Sequence, residues 1–260
     1  MIMALVAYLL FGMAPLNSEI IFWGILSGVL HGVYILCLSR AYSTADISYV
    51  YPIARSAPVF VPVFAWLVLD EHLHISTFLA IGFILTAIYI LHFEGKLIRG
   101  FVNLMRAFRH QDLRWAFYTL AMVVSYSLVD KKGMDSFLSH LPDQPLANGV
   151  TFFFIEAVIG FALCNLYIFS TSPAKYIFQT WRKEWHKAML AGIATLGSYG
   201  LICVVLQFEA LSAIVSLRQV SVLMVVYWGC WKLKEPFGSQ RLLAGGLILI
   251  GIFLIGSNSQ

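Results

Sequence analysis

The feature that most constrains this chain is a succession of apolar blocks, each about as long as a bilayer is thick. A spanning helix needs roughly 17–25 mostly apolar residues. Such stretches recur at 20–40, 49–69, 75–93, 114–130, 150–171, 186–207, 211–232 and 239–257, and a shorter one opens the chain at 1–13. The expectation is an all-α integral membrane protein with about nine transmembrane helices. Composition agrees: 60% of the 260 residues are hydrophobic and 12% are charged, more apolar surface than a soluble domain can hide. The alternating pattern of an outer-membrane barrel is absent, and residues 1–13 lack the basic start of a signal peptide. Cys37, Cys164, Cys203 and Cys230 fall inside the spans without metal-ligand spacing. They read as small apolar packing residues, and no metal or cofactor is expected.

Lysine and arginine placement orients the spans. One side receives Arg40, Lys96, Arg99, Arg106, Arg109, Arg114, Lys175, Arg182, Lys183, Lys187, Lys232, Lys234 and Arg241; the other receives Lys131 and Lys132. The basic side is expected in the cytoplasm, with the C-terminus outside. The segment 97–108 alternates apolar residues at helical spacing with Arg99 and Arg106, the pattern of a helix lying in the interface. Trp181 and Trp185 suit the same belt. Charges so dispersed along membrane-adjacent connections do not suit nucleic-acid binding.

The chain also repeats itself. A shift of 164 positions lays residues 20–93 on 184–257 without a gap. Gly28 falls on Gly192, Ser48 on Ser212, Glu71 on Glu235, Leu79-Ala80 on Leu243-Ala244, Gly82 on Gly246 and Ile84-Leu85 on Ile248-Leu249. Duplicated halves of this kind are a transporter signature. Spans at 114–130 and 150–171 precede the second copy, so the unit is five helices, and an odd number forces the copies to insert with opposite orientation. The reading is a first repeat at 1–96, an interfacial linker at 97–113 and a second repeat at 114–257. The first repeat is expected to lack its first helix and part of its second.

These residues resemble a known family. "SRAYSTADISYVYPIARSAPVFVPVFAWLVLDEHL" (39–73) is similar to the fourth-helix region of EamA-type drug/metabolite transporters, in which a small polar turn leads into Tyr-Pro-x-Ala-Arg and ends in Glu-x-Leu. "EALSAIVSLRQVSVLMVVYWGCWKLKEPF" (209–237) resembles the ninth helix, and "YSLVDKKGM" (126–134) the end of the sixth. Departures are the missing first helix, Pro236 after Glu235, and a charge bias that puts the C-terminus outside. The resemblance implies a ten-helix inverted five-plus-five basket with a central cavity, exporting small metabolites or amphipathic compounds by alternating access.

Charged residues inside spans are the first candidates for chemistry, because they usually face a cavity. Arg55, in Tyr51-Pro52-x-x-Arg55-x-x-Pro58, sits in a helix that two prolines should bend. It either meets a substrate carboxylate, phosphate or gating acid, or pairs with Asp46 or snorkels to headgroups. Arg218 lies deeper in its span, one residue from Gln219, the position Arg55 maps to. Glu156 is the one acid well inside an apolar block. A carboxyl withdrawn from water can cycle a proton, so it is a proton-coupling candidate; an interhelical hydrogen bond is the other reading. Asp130, Lys131 and Lys132 read as an interfacial ion cluster, and Glu71 and Glu235 as solvated helix ends. His31, Tyr34, Tyr49, Tyr51, Tyr126, Ser198, Tyr199, Gln207 and Gln219 supply polar and aromatic surface to cavity-lining helices or to ordinary packing. Gly24-x-x-x-Gly28-x-x-x-Gly32 is a small-residue ridge for close helix approach, with a homodimer interface as the lesser alternative.

The leading expectation is a secondary transporter of metabolites or drug-like compounds, an exporter in the cell's plasma membrane (the inner membrane of a bacterium). A lipid-linked-substrate flippase and an inactive fragment are the alternatives. An enzyme is not expected, since H-E-x-x-H, G-x-S-x-G and paired-Asp motifs are absent. A Walker-type site is absent as well, so ATP is not an expected partner.

Overall fold

The structure is a computed structural model that describes residues 12–44, 50, 53–54, 56–71, 75–93, 113–218, 221 and 238–256. Among them there is no strand. Eight helices follow in order: α1 (Ser18–Thr44), α2 (Ala57–Leu69), α3 (Ile75–Phe93), α4 (Arg114–His140), α5 (Pro145–Thr171), α6 (Ala174–Val205), α7 (Leu211–Leu217) and α8 (Gly238–Gly256). Three of them, α1, α5 and α6, are long and apolar enough to cross a membrane. Leu67, Phe161, Leu166 and Phe253 stand more than half exposed. Outward rings and leucines at this density suit lipid rather than water.

Local chemistry sets the helix ends. Asn17 starts α1, its side-chain oxygen accepting the Ile20 N–H at 2.7 Å. Pro145 occupies the first turn of α5, where no N–H is needed. Pro173 divides α5 from α6 with the chain extended at Ser172. Asp70 ends α2 in the left-handed region at φ 53°, a conformation that a short acidic side chain tolerates better than most.

Two expectations about helix bounds change. The block at 114–130 continues to His140, because Met134 and Phe137 keep an apolar face buried beyond the Asp-Lys-Lys. The stretch between the blocks 150–171 and 186–207, where a connection is expected, is mostly the start of α6, so Lys175, Arg182, Lys183 and Lys187 stand on a helix. At 32 residues α6 is about 48 Å long, well beyond the ~30 Å hydrocarbon core. Its basic first turns therefore suit the aqueous side. Residues 1–11 of the opening block, 97–112 of the linker, residues 49, 51–52 and 55 of the span at 49–69 and most of the span at 211–232 lie outside the described residues.

The chain forms two compact units. Residues 1–36 and 125–209 make the first, and 37–124 with 210–260 make the second, so each draws on early and late parts of the chain. In the first unit the glycine ridge of α1 meets α5. A Cβ on Gly28 would lie 2.6 Å from Ile159 Cβ and 2.8 Å from the Glu156 carbonyl oxygen; one on Gly24 would lie 2.9 Å from Ile155. Gly160 answers from α5, with room for a Cβ only 3.2 Å from Gly28 O. The ridge serves packing within the chain, as small residues do between membrane helices.

In the second unit α3 and α8 pair along their lengths. Gly251 of α8 approaches Ala80 and Ile84 so closely that a Cβ would meet the Ala80 carbonyl at 3.0 Å. α2 packs on α7. Glu71, just past α2, caps α7: its carboxylate accepts the Leu211 N–H at 2.5 Å, the Ser212 N–H at 3.3 Å and the Ser212 hydroxyl at 2.9 Å. Glu71 is thus a cap holding another element and not a solvated end.

Candidate functional site

Five side chains expected to carry chemistry converge inside the first unit. His31 lies on α1, Tyr126 on α4, Glu156 on α5 and Tyr199 on α6, with Tyr34 one turn beyond His31. The glycine ridge makes the meeting possible. Because α5 rests on Gly28, Glu156 comes within reach of a side chain one turn along α1, and His31 Nδ1 lies 3.3 Å from Glu156 Oε1. The ring of Tyr126 stacks on His31 at 3.8 Å between centroids, and Tyr34 and Tyr199 meet these rings edge-on. Phe153 packs against Tyr199 from α5.

Two more residues complete the cluster, and the sequence reading had not assigned them to it. Asp130 is fully buried, receiving the Ser27 hydroxyl on Oδ1 and the Tyr199 hydroxyl on Oδ2, each at 2.5 Å. Ser27 is buried too, and its hydroxyl and carbonyl oxygens lie 3.2 and 3.1 Å from His31 Nδ1. His31 Nε2 lies 3.1 Å from the Tyr199 oxygen. Asp130 therefore belongs to a buried network and not to an interfacial cluster with its neighbours. Lys131 instead reaches Asp135 at 2.8 Å and the Leu206 carbonyl at 2.9 Å, while Lys132 lies over the Trp23 ring. Successive residues on a helix point about 100° apart, so Asp130 and Lys131 face different surroundings. The signal was present in the sequence: Tyr126, Asp130, Gly133 and Phe137 fall on one helical stripe that remains buried past the lysines.

His31, Asp130 and Glu156 offer ligand atoms that all lie within 4.8 Å of one another. Such a nitrogen-and-carboxylate set has the chemistry of a divalent-cation site. Its members come from three helices, so no sequence spacing reveals it.

Other candidates fall elsewhere. Arg218 ends α7 in the second unit, half-buried, its carbonyl accepting the Ser221 hydroxyl at 2.9 Å. Tyr49, Tyr51, Arg55 and Gln219 lie outside the described residues. Ser198 is exposed and bonds the Thr195 carbonyl. Gln207 is a buried clamp, accepting from Asn148 at 3.0 Å and donating to Pro145 and Val204 carbonyls. Packing and backbone satisfaction account for it.

Compared with known proteins, the chain matches no curated protein. A family match covers its first third, including α1 with Ser27 and His31 and the Tyr-Pro-x-Ala-Arg motif; Asp130, Glu156 and Tyr199 lie beyond it. Residues 1–93 match the EamA-like transporter family, a family of membrane transporters and not of enzymes, as the motifs of this stretch suggest.

Proposed function

We propose that this protein is a secondary transporter that moves a small metabolite or drug-like compound across the membrane, as an exporter working by alternating access. One observation carries the reading beyond the family match: two buried carboxylates joined to a partly buried histidine and tyrosine, gathered from four helices of which three are long and apolar enough to cross a membrane. An ionisable side chain at mid-membrane costs about 2.5–3.5 kcal/mol on insertion scales. Two acids kept at one place are therefore hard to explain by stability alone and suit a substrate or ion path. Glu156 serves proton coupling, and His31, Tyr34, Tyr126 and Tyr199 form the polar and aromatic wall beside it. Arg218, with Arg55, Tyr51 and Gln219, is proposed to supply substrate contacts.

The same proposal includes an inverted five-plus-five plan, with which the lengths of two helices agree. α3 and α8 each contain 19 residues, and their first residues are 163 positions apart, one short of the sequence offset.

Reconstitution into proteoliposomes tests the function. The purified chain should move members of a labelled panel of amines, amino acids and amphipathic dyes, and a pH gradient should change the rate. Glu156→Gln should retain insertion and lose that pH-gradient dependence. Lipid scrambling without movement of any soluble compound would replace the proposal with the flippase reading.

A further inference from the structure

The hydrogen bonds of the cluster constrain where its protons sit. A serine or tyrosine hydroxyl has one proton to give, and a neutral imidazole has one. Ser27 and Tyr199 both direct theirs to Asp130. The Tyr199 oxygen is then an acceptor towards His31, so Nε2 at 3.1 Å carries a hydrogen. Nδ1, across the ring, faces three oxygens: the Ser27 carbonyl at 3.1 Å, the Ser27 hydroxyl at 3.2 Å and Glu156 Oε1 at 3.3 Å. The Ser27 proton being committed, a bare lone pair among these oxygens would be repelled. A second proton therefore lies between His31 and Glu156, on the ring or on the carboxyl.

From this geometry we propose that Glu156, His31, Tyr199 and Asp130 form a proton wire from α5 through α1 and α6 to α4, with Asp130 as its second terminal acid and Tyr199 as the relay. Transfer runs by exchange along existing hydrogen bonds. The Glu156 carboxyl proton passes to His31 Nδ1, the Nε2 proton passes to the Tyr199 oxygen, and the proton Tyr199 held passes to Asp130 Oδ2. Histidine and tyrosine each lose one proton and gain one. No electrons change hands, and a negative charge moves from Asp130 to Glu156. Reversal uses the same bonds. Tyr126, stacked on His31, keeps the ring plane aligned between its partners. Among the described residues, the ionisable groups gathered around the ring include Asp130 and Tyr126 from α4, Glu156 from α5 and Tyr199 from α6.

The wire takes its purpose, coupling, from the transporter reading; its existence is tested apart from transport. The purified full chain in detergent is followed by infrared difference spectroscopy across stepped pH. The carboxylic C=O bands of Asp130 and Glu156 are assigned by their loss in Asp130→Asn and Glu156→Gln. With Tyr199 intact, Asp130→Asn should move the Glu156 midpoint by about one pH unit or more, as interacting sites do. In Tyr199→Phe, which keeps the ring and its packing, the same substitution should move the Glu156 midpoint by clearly less, what remains being direct repulsion between carboxyls whose ligand atoms lie within 4.8 Å; an equal shift in both backgrounds would overturn the wire. Asp130→Glu serves as a second acid-retaining variant, and its own band should stay coupled to Glu156 even if Asp130→Asn folds poorly. Glu156 midpoints indifferent to Asp130 with Tyr199 intact would overturn the wire. One-to-one Zn²⁺ uptake at every pH tested, lost in Asp130→Asn and accompanied by no coupled titration, would overturn it too, making the cluster a metal site. No substrate or gradient enters these measurements, so a coupled titration stands even if no compound moves, and its absence leaves the transporter reading to its own test.

Discussion

At the scale of single residues, the decisive fact is that burial assigns roles that residue type alone leaves open. Asp130 and Lys131 are neighbours in sequence, yet one is fully buried in a hydrogen-bond network and the other bonds Asp135 and a main-chain carbonyl. Asp130→Asn should therefore lower transport by tenfold or more in proteoliposomes while leaving insertion intact, and Asp135→Asn should change it less than twofold. Equal effects of the two would return Asp130 to a structural role. Arg218→Ala is expected to reduce uptake of anionic panel members more than neutral ones. Unchanged selectivity in that variant removes Arg218 from the substrate contacts. Glu156 was readable as a lone acid in an apolar block. Its partner was not, because the pairing depends on how α5 rests on α1 and not on spacing.

At the scale of elements, glycines decide which helices touch. Gly28 has no room for a methyl group against Ile159 and the Glu156 carbonyl, whereas Gly82 on α3 has nothing within 4 Å. Gly28→Ala should destabilise the protein by about 1–3 kcal/mol through overpacking. Gly82→Ala should be neutral, or stabilising by up to ~1 kcal/mol through helix propensity. Thermal unfolding in detergent compares the pair, and similar midpoints would contradict the α1–α5 contact. Glu71 allows a parallel comparison. Removing the cap of α7 in Glu71→Ala should cost about 0.5–2 kcal/mol, with faster amide exchange at Leu211 and Ser212. Exchange there at the wild-type rate would mean that the carboxylate does not hold the helix start. The glycine ridge was legible in the sequence as a packing face. The identity of its partner was not, since any apolar helix with a small residue at the crossing would satisfy it.

At the scale of the whole molecule, the basic side is a prediction about orientation. In a variant with Cys37, Cys164, Cys203 and Cys230 replaced by serine, Ser139→Cys should react with an impermeant maleimide added to intact cells. Lys183→Cys should react only after the cells are opened. The reverse pattern would invert the charge-based orientation, and with it the meaning of export.

Much of this protein is written along the chain itself. The apolar blocks, the 164-residue offset and the motif at 39–73 depend on composition, length and local order, quantities that one strand of sequence carries in full. From them follow an all-helical membrane protein and a transporter-family resemblance, and residues 1–93 bear out the latter. Helix ends were misplaced at Asp130 and Lys175, where charge alone suggested a boundary. Only the tertiary structure brought Ser27, His31, Asp130, Glu156 and Tyr199 together. His31 and Tyr199 meet across 168 residues of sequence, and a contact of that kind arises from the way helices pack on one another, a matter of shape that no local pattern encodes.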